Sequence, residues 1–232
     1  GILEGPYQFH GLAEKILDQG MSSFGILLPG HGGSAREFAK SHRKQWIKYV
    51  NCQIEEISKK YPQIILVGHS MGTLLSLLVC EKHEAVVGVV CLATPLSVKV
   101  SLKGFVCSLK VLTGHYSQDD EYVLASYRAW SISKGTWGDY LKWIPRYLDL
   151  FHLIYETKKQ LPMIKKPLLF IHCQCDEFVR NRTTKILKKK LTGDNYELIE
   201  LCKSGHFYYR GDESQTLEQA ILKFVTQFKV DN

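Results

Sequence analysis

Five short runs constrain the fold of this chain more than anything else in it: SFGILLP (residues 23–29), QIILVG (63–68), AVVGVVCLA (85–93), KPLLFIHC (166–173) and YELIELC (196–202). Each is apolar almost throughout and rich in β-branched residues. Near-continuous runs of this kind suit strands buried on both faces of a parallel sheet. Helical patterns separate them. Trp46, Val50, Ile54, Ile57 and Tyr61 recur at helical spacing, with Lys48, Glu55, Glu56 and Lys59 on other faces. Near the C-terminus Leu217, Ile221, Phe224, Val225 and Phe228 share one face. Strands alternating with helices predict a mostly parallel α/β sheet with right-handed crossovers.

One region breaks the alternation. Residues 97–158 hold no convincing strand but carry three of the four tryptophans, Trp130, Trp137 and Trp143, with many tyrosines and phenylalanines. It reads as a helical insertion between two strands. The chain thus divides into an α/β core, residues 1–96 and 159–232, and a helical lid at 97–158.

Composition excludes several classes. At 45% hydrophobic and 23% charged, the 232 residues are those of an ordinary globular chain long enough for a full core. No apolar run approaches the roughly 20 residues that span a bilayer, and no signal-like segment opens the sequence. Seven scattered cysteines read as reduced core thiols of a cytoplasmic protein rather than a disulfide framework. The net charge of +7 comes from lysine clusters at predicted helix ends, such as Lys188-Lys189-Lys190. These read as solvated surface, with no nucleic-acid-binding motif beside them.

Within residues 64–72, IILVGHSMG, a serine and a histidine interrupt an apolar stretch that continues as TLLSLLVC. Polar groups in such a setting need partners or cost free energy. IILV is a strand, the Gly68–Gly72 segment a turn, and TLLSLLVCEK a helix. A serine on a tight strand-to-helix turn is held in a strained conformation with its hydroxyl above the sheet edge. The same turn aims the Met71 N–H, at the helix N-terminus, toward a developing oxyanion. Close passage of strand and helix predicts that Gly68 and Gly72 must both be small.

A nucleophilic serine needs a base, and the base an orienting carboxylate; in this turn architecture they come in the order Ser, Asp or Glu, His. The run 166–173 leads into Asp176 and Glu177, and the run 196–202 leads into His206. Both loops leave the C-terminal edge of the predicted sheet, where open parallel sheets place their chemistry. Asp176 is the first choice for the carboxylate, and Glu177 is its rival. His172, Cys173, Cys175 and Cys202 could be imagined as zinc ligands, but neighbouring strand residues point to opposite faces and no Cys-x-x-Cys spacing occurs.

At these residues the chain resembles the α/β-hydrolase superfamily, most closely its carboxylesterase and monoacylglycerol-lipase branch. LLPGHGGS (27–34) resembles the strand-loop before the first long helix, VGHSMG the nucleophile elbow, CDEFV the acid loop and SGHF the histidine loop. The resemblance spans the chain except for 97–158, where such enzymes carry a variable lid. His31 shapes its glycine-rich loop and has no catalytic role. The family usually has a strand ending in His-Gly, whose next residue gives the second oxyanion N–H. Counting back from Asp18-Gln19-Gly20 puts Gly1 on that glycine and makes Ile2 the donor. The strand itself, expected between residues 23–29 and 63–68, has no counterpart in this chain.

The resemblance implies a serine hydrolase with Ser70 as nucleophile, His206 as base, Asp176 as its orienter, and Met71 and Ile2 as the oxyanion hole. It needs no metal or organic cofactor. The expected substrate is a small uncharged ester of short to medium acyl chain. Aromatics such as Tyr140, Trp143, Tyr147, Phe151 and Tyr155 exceed what a thin helical layer needs for packing, so some are expected to line an acyl pocket. Two alternatives use the same residues: a non-catalytic binder of an apolar ligand, and an acyltransferase or thioesterase with the same triad.

Overall fold

In the computed structural model, residues 1–229 are described. Helices α1 (His10–Asp18), α2 (Ala35–Lys40) and α3 (Arg43–Ser58) precede strand β1 (Ile64–His69). Helix α4 (Met71–Val79) and strand β2 (Val86–Leu92) come next. Four helices lie between β2 and β3: α5 (Leu102–Thr113), α6 (Glu121–Ala129), α7 (Trp137–Leu141) and α8 (Ile144–Gln160). Strand β3 (Leu168–Cys173), helix α9 (Arg182–Lys190), strand β4 (Tyr196–Leu201) and helix α10 (Gly211–Thr226) complete the order.

The strands form one parallel sheet in the order β1-β2-β3-β4. Alternate side chains of each strand serve opposite faces. Val89, Cys91, Leu168 and Phe170 enter one core with Trp46, Val50 and Ile54 of α3 and Leu74 and Leu78 of α4. Val90, Leu92, Leu169 and Ile171 enter a second core with Ile16 of α1 and Ile221, Phe224 and Val225 of α10. Two buried faces explain why these runs lack polar alternation. Helix α4 is apolar nearly all round because it lies between the sheet and α8, with every residue from Thr73 to Val79 buried.

Four of the five expected strands form within two residues of their predicted limits. The run at 23–29 does not. Its backbone is extended, but among the described residues none of 22–27 makes a backbone–backbone hydrogen bond. A strand exists only by pairing, and here an apolar cleft of about 690 Å³ separates this segment from β1. Phe24, Leu28, Ile65, Val67, Val225 and Phe228 are among its walls. β1 is therefore the edge of the four-stranded sheet.

Residues 97–158 contain α5, α6, α7 and most of α8, with no strand of the sheet. α8 packs along α4 and α3, and Gln160 donates to the Leu77 carbonyl at 3.2 Å. No described helix is long and apolar enough to cross a membrane.

Candidate active site

The register of the sheet brings the loops that carry the expected site residues to one edge. His69 pairs with Leu92, Leu92 with Ile171, and Cys173 with Leu201, so the turn at Ser70 and the loops carrying Asp176 and His206 leave side by side.

Ser70 stands between β1 and α4 at φ +51°, one of two non-glycine residues in the left-handed region among those described. Its N–H donates to the Leu92 carbonyl at 2.9 Å. Its carbonyl accepts from the Thr73 N–H at 3.0 Å and from the Thr73 hydroxyl at 2.7 Å. These bonds on both sides hold a backbone conformation that costs about 1 kcal/mol or more. The two flanking glycines are not equivalent. A Cβ on Gly68 would lie 2.7 Å from the carbonyl carbon of Gly72 and the nitrogen of Thr73, whereas one on Gly72 meets nothing within 4 Å. Only Gly68 is required by close passage, because Gly72 borders the apolar cleft. That corrects the expectation for Gly72.

His206 Nδ1 lies 2.7 Å from Asp176 Oδ2, with both residues buried. A carboxylate can only accept, so Nδ1 carries a proton, and in the neutral ring Nε2 keeps its lone pair. The other oxygen of Asp176 accepts the N–H groups of Phe178 and Val179, each at 2.7 Å. Burial works to raise the Asp176 pKa, but the charge and hydrogen bond of His206 and those two N–H groups hold it below the usual carboxylate value. For His206 the balance runs the other way: burial lowers its pKa, and Asp176 and then Glu4 raise it above 6.5.

Glu177 serves the same histidine differently. Its Oε2 accepts the backbone N–H of His206 at 3.1 Å, and Lys103 Nζ lies 2.6 Å from its Oε1. The two carboxylates left open by the sequence thus divide between ring and peptide.

Met71 opens α4 with its side chain buried. Ile2 lies in a segment fastened at several points. Its carbonyl lies 3.1 Å from His31 Nε2, Leu3 accepts from Ser131 N–H at 3.0 Å, and Gly5 N–H donates to the Ala129 carbonyl at 3.0 Å. His31 therefore ties its glycine loop to this segment. Burial first drives its pKa down to about 4.

Sequence reasoning missed Glu4 and gave His69, beside a glycine in a turn, no part in the site. Glu4 Oε2 lies 2.6 Å from His69 Nδ1, and His69 Nε2 lies 2.9 Å from the carbonyl oxygen of His206. The His69 and His206 rings are 4.7 Å apart, and Glu4 Oε1 is 4.0 Å from His206 Nε2. The available signal was His69 itself, a polar ring at the end of an apolar strand that had to be partnered. Ligand-type atoms of Glu4, His69 and His206 lie within 4.8 Å of one another, the arrangement among the described residues that could hold a cation. Glu4 and His69 are engaged by the hydrogen bonds above, and His206 holds Asp176 through Nδ1. His172, by contrast, turns Nε2 to Asn181 Oδ1 at 3.1 Å, while the Cys173 side chain is buried in the core.

The aromatics expected to form a pocket separate into two sets. Trp143 is buried, donates Nε1–H to the Ala35 carbonyl at 2.9 Å, and packs against Phe38 and Tyr140. Tyr147, Phe151 and Tyr155 lie on the exposed side of α8. The aromatic wall beside His206 comes instead from Phe178 and Phe207, with ring centroids 5.2 and 4.7 Å from the imidazole.

Residues 1–207 match the family model described as serine aminopeptidase, S33. The fold is similar to that of a structure from the metagenome-derived lipolytic enzymes LipS and LipT. There the TM-score is 0.73 at 16% identity, covering 98% of this chain and 91% of that one. A monoacylglycerol lipase from Paleococcus ferrophilus gives 0.72 at 19% identity, covering 99% and 92%. A soluble variant of monoglyceride lipase from Saccharomyces cerevisiae, bound to a substrate analog, gives 0.71 at 13%, covering 97% and 83%. No curated protein sequence matches the chain.

Proposed function

The chain belongs to the serine aminopeptidase S33 family of α/β hydrolases, and from that premise we propose that it is a serine hydrolase cleaving carboxylic esters through an acyl-Ser70 intermediate. The observation that carries this reading is the Asp176–His206 pair at 2.7 Å, set on the loops beside a strained strand-to-helix serine.

Ser70 Oγ attacks the acyl carbonyl as His206 Nε2 takes its proton. Asp176 keeps the imidazole in the right tautomer and stabilises its cation. The Met71 N–H, with that of Ile2, holds the tetrahedral oxyanion; one such donor is commonly worth about 3 kcal/mol. The alcohol leaves with the proton from His206. Water then attacks the acyl-enzyme, giving its proton to His206, and the acid and free Ser70 are released. No step draws on a metal or organic cofactor.

The small-molecule substrate we favour is an uncharged ester of short to medium acyl chain, and we read residues 97–158 as the lid over the site. Phe178 and Phe207 beside His206 give the reacting centre an apolar wall. The similar folds named as lipases support esters over peptides. A series of p-nitrophenyl esters of rising acyl length tests this, with aminoacyl p-nitroanilides alongside. Each buried methylene is worth about 0.8 kcal/mol, so kcat/KM should climb and then fall along the series. A flat series, or faster cleavage of the anilides, would overturn the substrate assignment.

A further inference from the structure

Next to the His206 ring, the serine-hydrolase reading leaves two buried titratable side chains without work, Glu4 and His69. Both ring nitrogens of His69 face oxygens: Nδ1 meets Glu4 Oε2 at 2.6 Å, and Nε2 meets the His206 carbonyl at 2.9 Å. A peptide carbonyl can only accept. An ionised carboxylate can only accept as well. Both contacts are hydrogen bonds only if the Glu4–His69 pair holds two protons between its members, one of which is donated to His206. Glu4 Oε2 also lies 2.9 Å from the Gly1 nitrogen and accepts from Gln8 Nε2 at 3.1 Å, so the carboxylate is held in place by donors besides His69, and the short Nδ1 contact between side chains 6% and 3% exposed is that of a charge-assisted bond.

Resting on the serine-hydrolase reading, we propose that Glu4 and His69 are positioning residues for the catalytic base. Glu4 orients the His69 ring, and His69 holds the carbonyl of His206. The His206 peptide is then gripped from both sides, since its N–H is held by Glu177, itself paired with Lys103. Asp176 sets the tautomer of the imidazole, and the two flanking side chains set where its backbone sits. Because His69 immediately precedes Ser70, the strut ties the base directly to the nucleophile turn. Misplacing reacting groups by about 1 Å costs about 10²-fold in rate, which is the scale of what this grip protects.

Two variants separate the bonds. In His69→Gln the amide nitrogen stands where Nε2 stood, so it reaches the His206 carbonyl and gives up Glu4. In His69→Asn the amide nitrogen stands where Nδ1 stood, so it keeps Glu4 and falls short of His206. With wild type, kcat and KM on a p-nitrophenyl ester, melting temperature and the downfield proton resonance of His206 Nδ1–H are measured. The expected result is kcat within about fivefold of wild type for Gln and about 10²-fold lower for Asn. KM should move little, and the His206 resonance should be sharp in Gln and broadened or displaced in Asn. Equal kcat losses that track melting temperature would mean that His69 only supports the fold, and would overturn the proposal. So would an unaltered His206 resonance in Asn. A wild type that shows the resonance pattern but hydrolyses no ester would uphold the strut and refute the serine-hydrolase reading.

Discussion

Asp176 and Glu177 are adjacent in sequence and chemically alike, yet the fold gives one the ring of His206 and the other its peptide N–H. The difference is what each loses on amidation. Asp176→Asn removes the anion that keeps His206 in its working tautomer, so kcat should fall about 10³- to 10⁴-fold. Glu177→Gln keeps an oxygen that accepts from the His206 N–H and should cost far less. The pH profile carries a second signature. As the proposed base His206 acts only when deprotonated, and its pKa, lowered by burial, is raised above 6.5 by Asp176. kcat/KM should therefore decline as pH falls through a value above 6.5, and in Asp176→Asn that acid limb should move to lower pH. Steady-state kinetics across pH measure both. A Glu177→Gln variant more impaired than Asp176→Asn would exchange their roles. The positions of Ser70 on the strand-to-helix turn and of Asp176 beside His206 were legible because chain order and placement at strand ends specify them. Glu4 was not. Its work depends on which ring it meets, and no local pattern encodes that.

At the scale of elements, the strand-to-helix turn is the most specified piece of the molecule. Gly68 lies under backbone atoms of Gly72 and Thr73, whereas Gly72 faces open space in the second position of α4. Gly68→Ala should destabilise the protein by about 1–3 kcal/mol and misplace Ser70. Gly72→Ala should be neutral or stabilise by up to about 1 kcal/mol, as expected of alanine in a helix. Thermal denaturation of both variants tests the asymmetry, and equal destabilisation would contradict it. The motif alone could not separate the two glycines, because it records small residues but not which of them is crowded. The same limit applies to residues 23–29. Their composition is that of a buried strand, as is that of residues 85–93 and 166–173, but only the latter have neighbours at hydrogen-bonding distance. Burial on two faces can be read from a run of apolar residues; the presence of a partner cannot. Likewise the insertion reads as helical, but which aromatics turn inward depends on what α8 packs against. Trp143 goes to Phe38, and Phe151 and Tyr155 face away.

Across the whole molecule, the parallel sheet with a core on each face fixes where loops emerge, and three of them converge on one edge. Ser70 comes from the edge strand β1, Asp176 from the loop after β3 and His206 from the loop after β4, with the 1–5 segment laid against them through Glu4. Nothing short of the folded sheet brings residues 4, 69, 176 and 206 together. The proposed function takes Ser70 as a nucleophile activated by that assembly. The direct measurement is reaction of the protein with a fluorophosphonate reagent, then mass spectrometric location of the adduct. One adduct on the peptide containing Ser70 is predicted, lost in Ser70→Ala at an unchanged melting temperature and strongly slowed in His206→Ala. An adduct that persists in Ser70→Ala, or a wild type that the reagent never modifies, would contradict that role.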